Sequence, residues 1–245
     1  MARIKCTTSY DGTNFSGYQV QPEKRTVQGE IEAALSRIHK GQPMKITSSG
    51  RTDAGVHARA QVFHFDSPLS IPEPNWIRAL NGQLPNDIFI RRAEIAASDF
   101  HARFDVREKE YHYRILTSQE PDMFRRLYTY HLPEDLDLSK MREACSYFIG
   151  THDFTSFCAT NTSVKDKVRT IYSMDIFVEN DEVVIAVKGE GFLYQMVRIM
   201  TGTLIEVGLN KLAPSEIKAI LLKRDRRAAP KTAPAHGLIM WQVSY

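Results

Sequence analysis

The sequence predicts an α+β protein built from two ferredoxin-like, or RRM-like, α/β halves whose mainly antiparallel sheets join around a central cleft. Three observations support this prediction. Segments of alternating apolar and polar residues, typical of half-buried strands, recur along the chain. Between them lie segments whose apolar residues repeat every three to four positions, as on one helix face. In the first part of the chain these elements follow the order β-α-β-β-α-β, which is ferredoxin-like.

The first half is predicted to span residues 1–105. Its expected elements are a strand at 3–10, a helix beginning after Thr26, strands at 44–49 and 60–65, a helix at 76–83 and a strand at 88–95. Thr26 can cap the first helix with its side-chain oxygen. The apolar residues behind it share one face, and they are Val27, Ile31, Ala34, Leu35 and Ile38. Prolines bound the second helix on both sides.

The second half is predicted to span residues 106–245. Its expected elements are a strand at 110–116, a helix at 137–149, a hairpin of 168–178 with 182–188, helices at 192–207 and 214–224, and a closing strand at 237–245. Gly150 is expected to stop the first of these helices. Because no low-complexity linker separates the halves, we expect them to share a sheet or to pack face to face.

The composition is that of an ordinary globular chain. Hydrophobic residues make up 42% of the 245 residues and charged residues 25%, with a formal net charge of +3. These values exclude a disordered chain, a collagen-like fibre and a polybasic nucleic-acid coat. Three cysteines without a C-x-x-C pair, no apolar leader and no apolar stretch long enough for a bilayer indicate a cytoplasmic protein without membrane or disulfides.

Charge is distributed unevenly along the chain. Residues 1–105 carry a net +2, residues 106–185 carry −4, and residues 186–245 carry +5. The last segment contains a basic cluster made of Lys223, Arg224, Arg226, Arg227 and Lys231. Such a cluster could bind phosphates. The alternative is a solvated helix end, where cations complement the helix dipole.

The densest polar motif is Gly50-Arg51-Thr52-Asp53-Ala54-Gly55-Val56-His57, between two predicted strands. Arg51 and Asp53 are two positions apart, so they share a face of an extended backbone. A guanidinium close to a carboxylate favours the ionised form, which can act as a nucleophile or a base. The alternative is a structural Asx turn with a surface ion pair.

A second motif, Gly189-Glu190-Gly191-Phe192-Leu193-Tyr194, precedes a predicted apolar helix. It lacks the third glycine and the acidic residue of a dinucleotide-binding site, so nucleotide binding is rejected. Arg198 projects from this helix among apolar neighbours, and a buried arginine needs a carboxylate partner. Arg198 is therefore a candidate partner for a catalytic aspartate, or else part of a structural salt bridge. The eight histidines have no metal-ligand spacing, so no metal site is expected.

Aromatic and basic residues alternate in the segment 109–114. Tyr111 and Tyr113 share one face of the predicted strand, with His112 and Arg114 on the other. Aromatic residues on a sheet can stack on unpaired bases. The alternative is cross-strand packing in the core.

These motifs together resemble the tRNA pseudouridine synthase A family over nearly the whole chain. The resemblance is carried, in order, by residues 10–12 with 17–21, 50–58, 100–104, 109–111, 150–154, 191–194 with 196–198, and 232–238. The loop from Gly50 to Ala58 is the most specific of them. Tyr18 stands where many members of the family have tryptophan, and Gln195 stands where many have histidine.

The resemblance implies a cofactor-free isomerisation of uridine at positions 38, 39 and 40 of the tRNA anticodon stem-loop. It implies that Asp53 is the catalytic carboxylate, that Tyr111 packs against the target base, and that Arg51 replaces the flipped base in the stack. It further implies that Arg198 pairs with the aspartate and that the enzyme is a homodimer. Tyr111 and Leu193 are candidates for the pocket wall. Attack at ribose C1′, addition at base C6 and removal of a ribose proton all remain open as roles for Asp53.

Two other functions compete with this hypothesis. A non-catalytic RNA-binding module would bind RNA but form no product and would not need Asp53. A pseudouridine synthase acting on another RNA site would form product elsewhere. Mapping of pseudouridine by position on tRNA transcripts discriminates among the three.

Overall fold

The computed structural model describes residues 1–245 and divides into two compact units. Residues 1–107 together with 239–245 form the first unit, and residues 108–238 form the second. The predicted domains were 1–105 and 106–245, and that division stays a prediction. Residues 239–245 are placed by the structure with the first unit, because their strand pairs with a strand of that unit.

The first unit contains five strands, four of which follow the order β4-β1-β3-β10, while the short β2 pairs with β3 beside this path. Its strands are β1 (Ala2–Tyr10), β2 (Thr47–Ser48), β3 (His57–Ser67), β4 (Ile88–Ala96) and β10 (Leu238–Ser244). The central strand β1 is antiparallel to both β3 and β4, and the short β2 also pairs with β3. Only β10 runs parallel to its neighbour β3.

Two helices cover one side of this sheet: α1 (Val27–Ile38) and α2 (Glu73–Asn81). The Thr26 hydroxyl accepts a hydrogen bond from the Gly29 amide at 3.3 Å, which confirms the predicted cap. Trp76 of α2 is buried and packs edge-on against Phe65 of β3. The apolar faces of both helices therefore form the core of this unit against one side of the sheet.

The second unit contains a sheet in the order β5-β9-β8-β7 and three helices. Its elements are β5 (Glu108–Leu116), β6 (Tyr130–His131), α3 (Leu138–Cys145), β7 (Gly150–Asp153), β8 (Val168–Glu179), β9 (Glu182–Gly189), α4 (Met196–Gly208) and α5 (Glu216–Lys223). The four sheet strands are antiparallel, and β6 pairs parallel with the end of β5. The predicted hairpin is confirmed as β8 and β9.

Several boundaries differ from the prediction. α3 ends at Cys145 rather than at residue 149, and Gly150 begins a short strand with a positive φ of 104°. α4 begins at Met196 rather than at residue 192, because Gln195 adopts a left-handed conformation that a helix cannot contain. The short strands β6 and β7 were not predicted. Each of these elements is defined by pairing with a strand distant in sequence.

The fold is thus a mixed α/β structure with mainly antiparallel strand pairing, which confirms that part of the prediction. Two ferredoxin-like halves around a cleft stay a prediction. The three cysteines are buried and unpaired. None of the helices has both the length and the apolar character that a membrane crossing requires.

Candidate active site

The motif that begins at Gly50 forms a loop between β2 and β3 in the first unit. Arg51 is exposed, Thr52 is buried and Asp53 is half-buried. The Val56 amide donates to the Asp53 carbonyl at 3.2 Å, and Gly55 has a φ of 77°. The loop is therefore a tight turn that buries its threonine and leaves the neighbouring charged side chains closer to solvent.

The loop is held in place by the segment that follows β1. The Tyr10 hydroxyl and the Thr52 hydroxyl are 2.7 Å apart, and both residues are buried. The Tyr18 amide donates to the Thr52 carbonyl at 3.1 Å. Burial raises the pKa of the Tyr10 hydroxyl, so it stays protonated. Thr52 is thus fixed by both its side chain and its backbone, immediately before Asp53.

Gly12 and Gly17 allow this segment to approach the loop closely. A Cβ atom at Gly12 would overlap the carbonyl oxygen of Val56, so only glycine fits there. Gly17 has a φ of 96°, and a Cβ on it would lie 3.1 Å from the Thr52 carbonyl oxygen. The loop and the segment from Gly12 to Tyr18 consequently pack backbone against backbone.

Both ends of the loop are anchored by hydrogen bonds to neighbouring segments. At its start, the Gly50 carbonyl accepts hydrogen bonds from the side-chain amide of Gln61 at 2.9 Å and from the Ser48 hydroxyl at 3.0 Å. At its end, His57 is buried and its Nδ1 accepts from the Gly12 amide at 3.0 Å. An Nδ1 atom that accepts carries no proton, so the ring is expected to hold its proton on Nε2 when it is neutral.

The two tyrosines of β5, Tyr111 and Tyr113, have different surroundings. Tyr111 of β5 is 7% exposed and meets Phe192 edge-on, with ring centroids 5.1 Å apart. Tyr113 is fully buried, and its hydroxyl donates to the Pro234 carbonyl at 2.8 Å. The core-packing alternative therefore holds for Tyr113. On the opposite face, burial lowers the pKa of His112, which lies 2.7 Å from Glu110.

Arg198 lies in the first turn of α4 and is held by the segment 231–234. Its Nε donates to the Ala233 carbonyl at 2.9 Å, and the Ala233 amide donates back to the Arg198 carbonyl at 3.0 Å. Gly202, one helical turn later, allows the close approach, because a Cβ there would overlap the Lys231 carbonyl oxygen. Leu193 is buried just before the helix.

The basic cluster of the second unit is largely occupied by local partners. Arg224 Nε lies 3.2 Å from Asp153 Oδ2, and Arg227 Nη2 lies 2.7 Å from Asp225 Oδ2. Arg226 donates to the Ala229 carbonyl at 2.8 Å and to the Thr232 hydroxyl at 3.1 Å. These contacts favour the structural alternative for this cluster.

The five predicted site residues are divided between the units. Arg51 and Asp53 belong to the first, and Tyr111, Leu193 and Arg198 belong to the second. Sequence reasoning missed the roles of Tyr10 and Ala233, which hold their partners across long stretches of chain. The signal for Tyr10 was its place beside a glycine turn, and Ala233 carried none. No group of three or more His, Cys, Asp or Glu side chains is arranged to hold a metal ion.

Comparisons with known proteins agree on one family. The family model described as tRNA pseudouridine synthase matches residues 7–105 and 144–245. The chain is 57% identical over 244 residues to tRNA pseudouridine synthase A of Bacillus pumilus, covering 99% of both chains. It is 54% identical to tRNA pseudouridine synthase A of Bacillus subtilis, again with 99% of both covered. It is also 54% identical to tRNA pseudouridine synthase A 1 of Bacillus cereus, covering 100% of this chain and 99% of that one.

Proposed function

Because the chain belongs to the tRNA pseudouridine synthase family and isomerises uridine to pseudouridine in tRNA, we propose that Asp53 is its catalytic carboxylate. The reaction breaks the bond between base N1 and ribose C1′ and forms a bond between C5 and C1′. The proton on C5 is lost and N1 gains one. The isomerisation is redox-neutral, so it requires no oxidant or reductant.

The observation that carries this assignment is the way in which the loop is built. Thr52 is buried and fixed by Tyr10 and Tyr18, whereas the next residue, Asp53, is half-buried. A catalytic group must be held in a defined place by its surroundings to react efficiently. A surface turn would not need a buried hydrogen bond, two close-packed glycines and anchors at both ends.

The other predicted residues receive roles as substrate-binding groups. A base within a stem must be flipped out to react, at a cost of a few kcal/mol. Arg51 is exposed, and its planar guanidinium can stack in the vacated place. Tyr111 and Leu193 provide apolar surface against the flipped base, and Phe192 supports the Tyr111 ring. Arg198 supplies the positive charge for the Asp53 carboxylate.

We further propose that the targets are uridines 38, 39 and 40 of the anticodon stem-loop, and that the enzyme is a cytoplasmic homodimer. The target positions and the dimer follow from the resemblance of the sequence motifs, and the compartment follows from the cysteine content. Unmodified tRNA transcripts would be incubated with the protein and pseudouridine mapped by position. Product confined to positions 38–40 is expected. Product only elsewhere would contradict the site assignment, and sedimentation analysis showing a monomer would contradict the dimer.

The decisive variant is Asp53→Asn, which keeps the shape of the side chain but removes its charge. Turnover of tRNA should fall by at least about 1000-fold, as is usual when a catalytic group is removed, while tRNA binding persists. The matched control is Asp99→Asn, at an exposed position of the same unit. Normal turnover by Asp53→Asn would exclude Asp53 as the catalytic residue.

Arg198 is tested by replacing it with lysine and with alanine. Alanine removes both the charge and the hydrogen bond to Ala233, so turnover and thermal stability should both fall. Lysine keeps the charge and should recover part of the turnover. Stable, fully active Arg198→Ala protein would contradict the role proposed for this residue.

A further inference from the structure

Three exposed arginines of the first unit form a surface feature that the site above does not use. We call Arg59 of β3 with Arg91 and Arg92 of β4 the arginine strip. All three are exposed, and none of them forms an ion pair. Two other arginines of this unit do form ion pairs: Arg3 donates two hydrogen bonds of 2.8 Å to Asp66, and Arg25 pairs with Asp87.

The residues of the arginine strip lie at two β-bulges, one in the pairing of β1 with β3 and one in the pairing of β1 with β4. Thr8 and Tyr10 of β1 pair with Gln61 and Ala58, so two residues of β3, including Arg59, face Ser9 alone. On the other edge of β1, Thr7 pairs with Arg92 and Thr8 with Ile90, which makes Arg91 an extra residue in β4. Such bulges redirect side chains and occur next to functional sites. Both lie at the same level of β1.

The strip lies on the side of the sheet away from the helices. Trp76 of α2 packs on Phe65, which pairs with Ile4 of β1. Successive residues of a strand point to opposite sides, so Thr7 and Ser9 lie on the side opposite to Ile4. Thr7 pairs with Arg92, and one of the two bulged residues of β3 that face Ser9 is Arg59, so both arginines belong to that side of the sheet.

Two of the three guanidinium groups, those of Arg59 and Arg91, are ordered by contacts within the protein. Arg91 reaches across β1, about 10 Å of sheet, to donate from Nη1 to the Arg59 carbonyl at 3.0 Å. The Arg59 guanidinium lies over the Trp241 ring, 4.1 Å from its centroid. These contacts reduce the entropy that the two side chains would lose on binding a ligand.

A group of like charges without acidic partners, two of them ordered, is complementary to a polyanion. Arginine presents fixed N–H donors that match phosphate oxygens, and a cation–π contact leaves those donors available. The strip also follows closely on the Asp53 loop, since Arg59 is the third residue of β3. RNA engaged by the loop therefore has its backbone within reach of this part of the chain.

We propose that the arginine strip is a contact site for tRNA backbone phosphates, distinct from the residues that bind the target base. The inference rests on the proposed function, in that it takes tRNA as the substrate. Phosphate contacts add affinity that depends on salt, and they position the RNA without reading its sequence. The strip therefore contributes to tRNA binding and not to the chemical step.

The test is the salt dependence of tRNA binding for Arg59→Gln, Arg91→Gln, Arg92→Gln and the triple variant. Removal of one arginine–phosphate interaction should reduce the slope of log K against log salt by about 0.7–0.9. The triple variant should have a dissociation constant raised at least about tenfold at physiological salt, with turnover at saturating tRNA within about twofold of the parent. Arg59→Lys should bind with intermediate affinity, because it keeps the charge but not the planar contact with Trp241.

The matched control is Arg78→Gln, which removes an exposed arginine from α2 on the other side of the same unit. An unchanged slope and affinity in the triple variant would overturn the proposal. A change in oligomeric state with unchanged tRNA binding would also overturn it, since the strip would then contact a second copy. Failure of the proposed function has a different readout, which is full activity of Asp53→Asn.

Discussion

The Asp53 loop, residues 50–57, and the basic cluster at residues 223–231 are both dense in charge. They differ in the contacts that hold them in place. The loop is held by buried contacts from β1, from the segment behind it and from β3. The basic cluster is stabilised by surface pairs within its own neighbourhood, such as Arg227 with Asp225. Charge density alone therefore does not distinguish a firmly held loop from a helix end with surface ion pairs. The contacts that fix the backbone do.

The energetic reason lies in exposure. Surface ion pairs contribute about 0–1 kcal/mol, because water screens them and long side chains lose entropy on pairing. A buried hydrogen bond costs about 1–3 kcal/mol when one partner is removed, since the other is left without water. The stability of the protein should accordingly fall when even one contacting atom of the loop is removed. Removing whole side chains from the basic cluster should change stability little.

The largest effect is expected for Gly12→Ala. The added methyl group would overlap the Val56 carbonyl, so the loop must shift and the protein should lose about 3 kcal/mol or more of stability. Thermal unfolding and turnover should both show the loss. Gly41→Ala is the control, because Gly41 has a positive φ but open space around it, and it should cost only about 1 kcal/mol. Equal effects at both positions would break the comparison.

A smaller effect is expected for Tyr10→Phe, which removes one oxygen atom from the loop contacts. The Thr52 hydroxyl would lose its partner, costing about 1–2 kcal/mol of stability. If Tyr10 positions Asp53 through Thr52, kcat should fall about tenfold with KM little changed. In a Thr52→Val background the same change should have little further effect, which a double-mutant cycle measures. A stability loss with unchanged kcat would make Tyr10 a purely structural residue.

The smallest effect is expected in the basic cluster. Lys223→Ser and Arg227→Ser should change stability by less than about 0.5 kcal/mol and leave the salt dependence of tRNA binding as it is. Arg226→Ser should cost about 1 kcal/mol, because it removes hydrogen bonds to Ala229 and Thr232. A reduced salt slope in Lys223→Ser or Arg227→Ser would show that the cluster contacts phosphates after all.

Local patterns predicted most of the elements of the fold but not their limits. The alternation of residues 3–10 and the cap at Thr26 act within a few positions, and both are confirmed. α4 was predicted too long because the left-handed Gln195 is set by the turn after β9, for which the apolar pattern gives no sign. Short strands such as β6 form only by pairing with another strand, here the end of β5, so the local sequence pattern does not predict them.

The candidate site divides in the same way. Asp53 could be proposed from the sequence because its neighbours form a specific motif. Its supports could not, because Tyr10 reaches Thr52 from 42 positions away and Ala233 reaches Arg198 from 35. Such contacts are decided by how the folded chain packs, and no local spacing in the sequence records them.

The strand β10 has a consequence for biosynthesis. Residues 239–245 complete the sheet that carries the Asp53 loop, although residues 108–238 are translated in between. The middle of the chain can thus acquire its own core while the first unit still lacks a strand beside β3. The first unit begins to emerge from the ribosome before the second, yet its sheet can acquire the strand beside β3, and the Asp53 loop its complete scaffold, only after residues 239–245 have been synthesised.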